Sequence, residues 1–208
     1  MSKYLFLIIF LFFANISFAQ YKLISNTEPF KAQFAAASTK INSISSDFTQ
    51  VKSLALLSEK LTSKGKFYFK KANLVRMEYT SPYQYLMVIN GSKILVKDGS
   101  KTNTMSAKSN KTFKRVNQLM MDCMNGNIFN NKDFSIRVFE DAGTYLTEMT
   151  PVSTQMRGMF SKVNVIMKKN SFIVQQVQMF EPSGDYTSIN YANQKLNNTL
   201  SDALFAVK

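Results

Sequence analysis

The sequence contains no histidine and one cysteine, Cys123. Those scarcities remove Ser-His and Cys-His nucleophilic pairs, the commonest metal ligand and thiolate metal sites. Glycine-rich phosphate loops are missing too. Acidic residues are few, 13 Asp+Glu against 26 Lys+Arg, and the pairs Glu140-Asp141 and Glu181-Asp185 flank the turn residues Gly143 and Pro182 to Gly184. Carboxylates in such places read as solvated turn groups rather than as a catalytic acid and base. Neither an enzyme nor a metal or cofactor site is expected.

A lone cysteine also excludes an intramolecular disulfide, so stability must come from packing. In FKRVNQLMMDCMNG, Phe113, Val116, Met120 and Cys123 recur at helical spacing, which predicts a buried thiol.

Long hydrophobic runs are lacking as well. The apolar run of residues 4–14 in MSKYLFLIIFLFFANISFAQ is roughly half of the ~20 residues that span a bilayer, which argues against a membrane anchor. With Lys3 ahead of it and Ser17 and Ala19 behind, it has the form of a secretory signal, residues 1–19, cleaved after Ala19. Residues 20–208 are then expected as a single exported, unanchored domain, and a composition 45% hydrophobic and 13% aromatic is ample for its core. The net charge of +13 is spread over dispersed lysines without a nucleic-acid-binding motif, and export argues against nucleic acid. A solvated basic surface, or a weak attraction to anionic lipid, fits that charge.

One early helix and many strands follow. In TEPFKAQFAAASTKINSI, Phe30, Phe34, Ala37, Ile41 and Ile44 repeat at helical spacing, with Thr27 as N-cap. Strands are expected over 47–57, 64–71, 74–80, 85–89, 93–97 and 102–108, with tight turns at Asn90-Gly91 and Asp98-Gly99. A helix at 112–124 interrupts this meander, and strands resume over 133–140, 144–150, 162–168, 172–181 and 186–192. The fold class expected is mainly β (α+β). About eleven antiparallel strands form an incomplete barrel, and a helical lid closes it.

The apolar face of these strands is rich in methionine, with eleven beyond the leader, and in phenylalanine. Unbranched methionine adapts to apolar partners of variable shape, and an acyl chain is one such partner. The cavity-lining residues expected from strand and helix faces are Phe48, Phe67, Phe69, Met77, Met87, Val165, Met167, Val177 and Met179, with Phe34 and Met120 from the helices.

Three blocks, SDFTQ at 46–50, GKFYFKKANLVRMEYTSP at 65–82 and VINGSKILVKDG at 88–99, resemble in order and spacing the periplasmic outer-membrane lipoprotein carrier family, LolA; a terminal SDALFAV at 201–207 matches more loosely. The resemblance implies an unclosed barrel whose cavity shields lipoprotein acyl chains in the periplasm. It also implies a monomer that takes cargo from an inner-membrane ATP-driven release complex and hands it to an outer-membrane acceptor or to the outer membrane itself. The family's Lys-Arg-Pro-Asn segment falls on Lys70, Lys71, Ala72 and Asn73, so Lys71 stands where the family's arginine latches the lid. Strand alternation independently puts Lys71 on the face of Phe67 and Phe69. Two other readings share the architecture: carriage of another lipid, such as a glycolipid or a lipid-linked pigment precursor, and lipid sensing in envelope stress.

Overall fold

The computed structural model describes residues 21–57, 59–106 and 111–207. The expected leader lies outside these residues. The chain runs β1 (Lys22–Leu23), α1 (Glu28–Thr39), β2 (Ser43–Ser53), β3 (Lys60–Lys70), β4 (Leu74–Ser81), β5 (Tyr85–Asn90), β6 (Lys93–Asp98) and β7 (Lys101–Ser106). It continues through α2 (Lys111–Met124), β8 (Phe134–Glu140), β9 (Thr144–Pro151), α3 (Thr154–Arg157), β10 (Lys162–Lys168), β11 (Val174–Phe180) and β12 (Tyr186–Leu196).

All twelve strands belong to one antiparallel sheet, ordered β1-β8-β9-β10-β11-β12-β2-β3-β4-β5-β6-β7. The sheet is not closed: β1 and β7 are its free edges. The expected eleven strands are present, but β2 runs from Ser43 to Ser53 rather than over 47–57, because the chain turns after Ser53, and β3 starts at Lys60 rather than at 64; positions 107–108 of the strand expected over 102–108 lie outside the described residues. The twelfth strand is β1, two residues paired with Phe139 and Glu140. The helix expected to run on to Ile44 ends at Thr39, and Ile44 lies in β2 opposite Phe69. Thr27 makes no side-chain cap; the Glu28 amide instead donates to Asn26 Oδ1.

Alternation sorts β3 and β4 cleanly. Gly65, Phe67 and Phe69 turn inward with Val75 and Met77, while Lys66, Tyr68, Lys70, Leu74 and Arg76 turn outward. The inner face carries two packed clusters. One joins Phe30 and Phe34 of α1 to Val138, Met149, Val163, Val165 and Met167. The other joins Ile44, Phe48, Phe67, Phe69 and Val75 to Ile189. Helix α2 bridges them, with Leu119 in the first and Met121 in the second.

The outer face of β3–β6 is covered by the C-terminal segment, whose Leu200 and Phe205 pack on Val88 and Leu95. Three long polar side chains tie it down. Lys70 Nζ donates to Leu200 O (3.1 Å) and pairs with Asp202 (2.6 Å), Arg76 donates to Leu204 O (3.2 Å), and Asn90 Nδ2 donates to Phe205 O (3.0 Å). Asn90→Ala is expected to lower stability by about 1 kcal/mol, the usual net value of one such bond, measurable by urea denaturation. An unchanged midpoint would show that the remaining contacts hold the segment without Asn90.

Candidate functional site

Between α2 and the sheet lies a cavity of about 250 Å³. Its walls come from β4 and β5 (Met77, Met87, Ile89), α2 (Val116, Asn117, Leu119, Met120, Cys123, Met124), β9 (Met149), Phe160, β10 (Val163, Val165), β11 (Val174, Val177, Met179) and β12 (Ile189, Tyr191). Six of these are methionines, and none of the described wall residues carries a formal charge. Such a space is dry by preference and takes hydrocarbon readily. A smaller cleft of about 30 Å³ adjoins it beneath the C-terminal end of α1, walled by Phe34, Ser38, Ile41, Phe67 and Phe172 among others. Cys123, Met124, Val174 and Tyr191 line both spaces.

The lining expected from the sequence divides three ways. Met77, Met87, Met120, Val165, Val177 and Met179 stand in the cavity wall. Phe34 and Phe67 line the smaller cleft. Phe48, Phe69 and Met167 are buried in the packed clusters, in neither wall. They face inward as alternation requires, but rings and strands already fill the space in front of them. Phe48, for example, meets Tyr79 edge to face at 4.9 Å.

Sequence reasoning passed over three polar wall residues: Asn117, Cys123 and Tyr191. Cys123 has part of its surface open to the cavity yet is enclosed by protein, and burial, with Asp122 beside it, pushes its thiol up to about 12. It stays a neutral thiol at physiological pH. Burial also raises the Tyr191 phenol, with lesser contributions from Tyr79 and Cys123. The acidic pairs have structural partners. Asp141 accepts from the Gly143 and Thr144 amides, Glu140 pairs with Lys169, Asp185 accepts from the Ala55 amide, and Glu181 faces Lys52. Among the described residues no cluster of three or more potential metal ligands occurs.

Two contacts tie the helices over the site. Gly126, just past α2, lies so close to α1 that a Cβ there would meet Ser38 Cβ at 2.9 Å and Ala35 Cα at 3.0 Å. Lys71, in the turn between β3 and β4, donates from Nζ to Ser38 O (3.2 Å) and Thr39 O (2.9 Å). These carbonyls belong to the last turn of α1, where the i+4 helical donors run out and the helix dipole is negative, although Ser38 O also accepts from the Ile41 amide (3.3 Å). That turn has no basic residue of its own. Lys71 brings a cation to these carbonyls from the β3–β4 turn, next to the C-cap residue Lys40.

No curated protein matches the sequence. Among solved structures, an uncharacterised conserved protein from Thermus thermophilus shares the fold at 10% identity and a TM-score of 0.51, over 86% of this chain and 93% of that one. A LolA superfamily protein from Nitrosomonas europaea aligns at 13% identity and a TM-score of 0.44 (85% and 97% covered). The Mycobacterium tuberculosis lipoprotein LppX aligns at 10% and 0.45 (83% and 96% covered). The family model described as outer membrane lipoprotein carrier protein LolA matches residues 39–208, from the last residue of α1 through every later element, and the chain belongs to that family.

Proposed function

We propose that this protein carries the acyl chains of lipoproteins across the periplasm, taking them from an inner-membrane ATP-driven release complex and passing them to the outer membrane or an acceptor there. The observation that supports the reading best is the uncharged, methionine-rich cavity under α2. Burying each methylene is worth about 0.8 kcal/mol, so an anchor with several acyl chains needs shielding from water. Residues 1–19 supply the route of export in this reading, and among the described residues no helix is long and apolar enough to cross a membrane.

Size adds a constraint. A methylene fills about 30 Å³, close to the share of one water molecule, so the cavity of about 250 Å³ holds part of one chain. Full loading requires α1 and α2 to lift from the sheet. Mature protein is expected to bind an environment-sensitive acyl probe saturably, with competition by a lipopeptide. Val177→Phe, which fills the cavity from β11, is expected to weaken that binding about tenfold while the fold is kept. A probe that binds only unfolded protein would make the interior an ordinary core. Mass spectrometry of copurifying lipids then names the cargo, and a glycolipid or pigment precursor there would replace lipoprotein in the reading.

A further inference from the structure

Asn117 is the polar residue that the cavity least explains. It sits on the inward face of α2, three residues before Met120 and seven before Met124, both wall residues. Its Oδ1 is buried and has no hydrogen-bond donor. Three other polar residues of the same helix have partners: Arg115 pairs with Asp133, Gln118 donates to Asp122, and Asp122 also accepts from Asn131. Burying an acceptor without a donor is costly, whereas leucine or methionine at this position would carry no such cost. An amide oxygen left without a partner in a largely apolar wall points to a donor that arrives from outside the chain. None of the described wall residues is charged, which points to a donor on a neutral group.

We infer that Asn117 receives a hydrogen bond from the cargo itself, and that the cargo therefore carries a neutral N–H or O–H close to its acyl chain, as an N-acyl amide or a hydroxylated acyl chain does. The inference rests on the carrier reading and deepens it. Asn117 becomes the residue that separates functionalised lipids from plain hydrocarbon, while the methionines set capacity.

The test uses three uncharged ligands of equal chain length, each displacing the environment-sensitive probe from the full mature protein: N-methylpalmitamide, methyl 3-hydroxypalmitate and methyl palmitate. At least one of the first two is expected to compete about tenfold better than methyl palmitate, the value of one hydrogen bond in a desolvated site. Which one it is identifies the donor. Asn117→Leu is expected to bring the preferred ligand level with methyl palmitate, and Asn117→Gln to retain part of the preference. A purely structural asparagine would instead shift all three ligands together. Equal competition by all three at wild-type protein, a result that needs no variant to fold, overturns the inference and leaves the carrier reading standing. Failure of any ligand to displace the probe overturns both.

Discussion

Gly65→Ala is expected to destabilise the protein by about 3 kcal/mol, a small side chain with an outsized effect. A Cβ at Gly65 would lie 2.1 Å from the Glu78 carbonyl oxygen and 2.7 Å from Cε1 and Cζ of the Phe48 ring. The ring sits on β2 directly opposite Gly65, and the carbonyl belongs to β4 on the other side, so the glycine is gripped by both neighbouring strands. A side chain could swing away. A ladder carbonyl cannot move without breaking the pairing of β3 with β4, so the cost falls at the upper end of that for overpacking a core. At ~2–4 °C per kcal/mol for a chain of this size, the melting temperature should fall by ~6–12 °C. Phe48→Leu in the same background should recover part of the loss, because it removes the ring and leaves the carbonyl. A shift below about 2 °C would mean that the strands part more easily than this packing implies.

The same stretch shows what a sequence reveals and where it stops. Alternation alone put Phe67, Phe69 and Met77 on the inner face, because burial on one face fixes the period and a slip by one residue would expose every one of them. It could not tell cavity wall from packed core. Met77 borders the empty space while Phe69, on the neighbouring strand, is fully enclosed. That difference depends on how far α2 reaches along the sheet, which no strand records. Ile44 misled for another reason: it continues the helical spacing of Phe34, Ala37 and Ile41 by coincidence, although the chain has already turned into β2. Strand β1 is too short to show alternation at all. Asn117 left a legible trace, a polar residue on an apolar stripe, whereas Tyr191 needed the strand register before its ring could be placed against Phe67.

Lys71→Leu is expected to leave folding and lipid binding intact and to slow delivery of cargo to acceptor membranes by about tenfold. Adjacent lysines divide the work at the end of β3. Lys70 points outward and holds the C-terminal segment, while Lys71 turns to the α1 side and holds that helix by two terminal carbonyls. A cation at a helix C-terminus is favoured by the dipole, and charge-assisted bonds exceed neutral ones. The contact is partly open to solvent, however, so about 1–2 kcal/mol is its part in holding α1 in place over the sheet. Lysine brings a point charge rather than the planar fork of arginine, which makes the latch looser than arginine at this site would give. If the protein is a carrier as proposed, unloading is driven by the stability of the closed arrangement, so loss of ~1–2 kcal/mol there shifts the balance toward retained cargo by ~5–30-fold. Leucine adds an apolar side chain that grips hydrocarbon, which reinforces retention. The measurement is transfer of a fluorescent acyl probe from preloaded protein to liposomes, with Lys71→Arg as the companion variant. Arginine can span both carbonyls and should restore delivery to at least the wild-type rate. Wild-type transfer by Lys71→Leu would reduce Lys71 to a cap on α1 with no part in release.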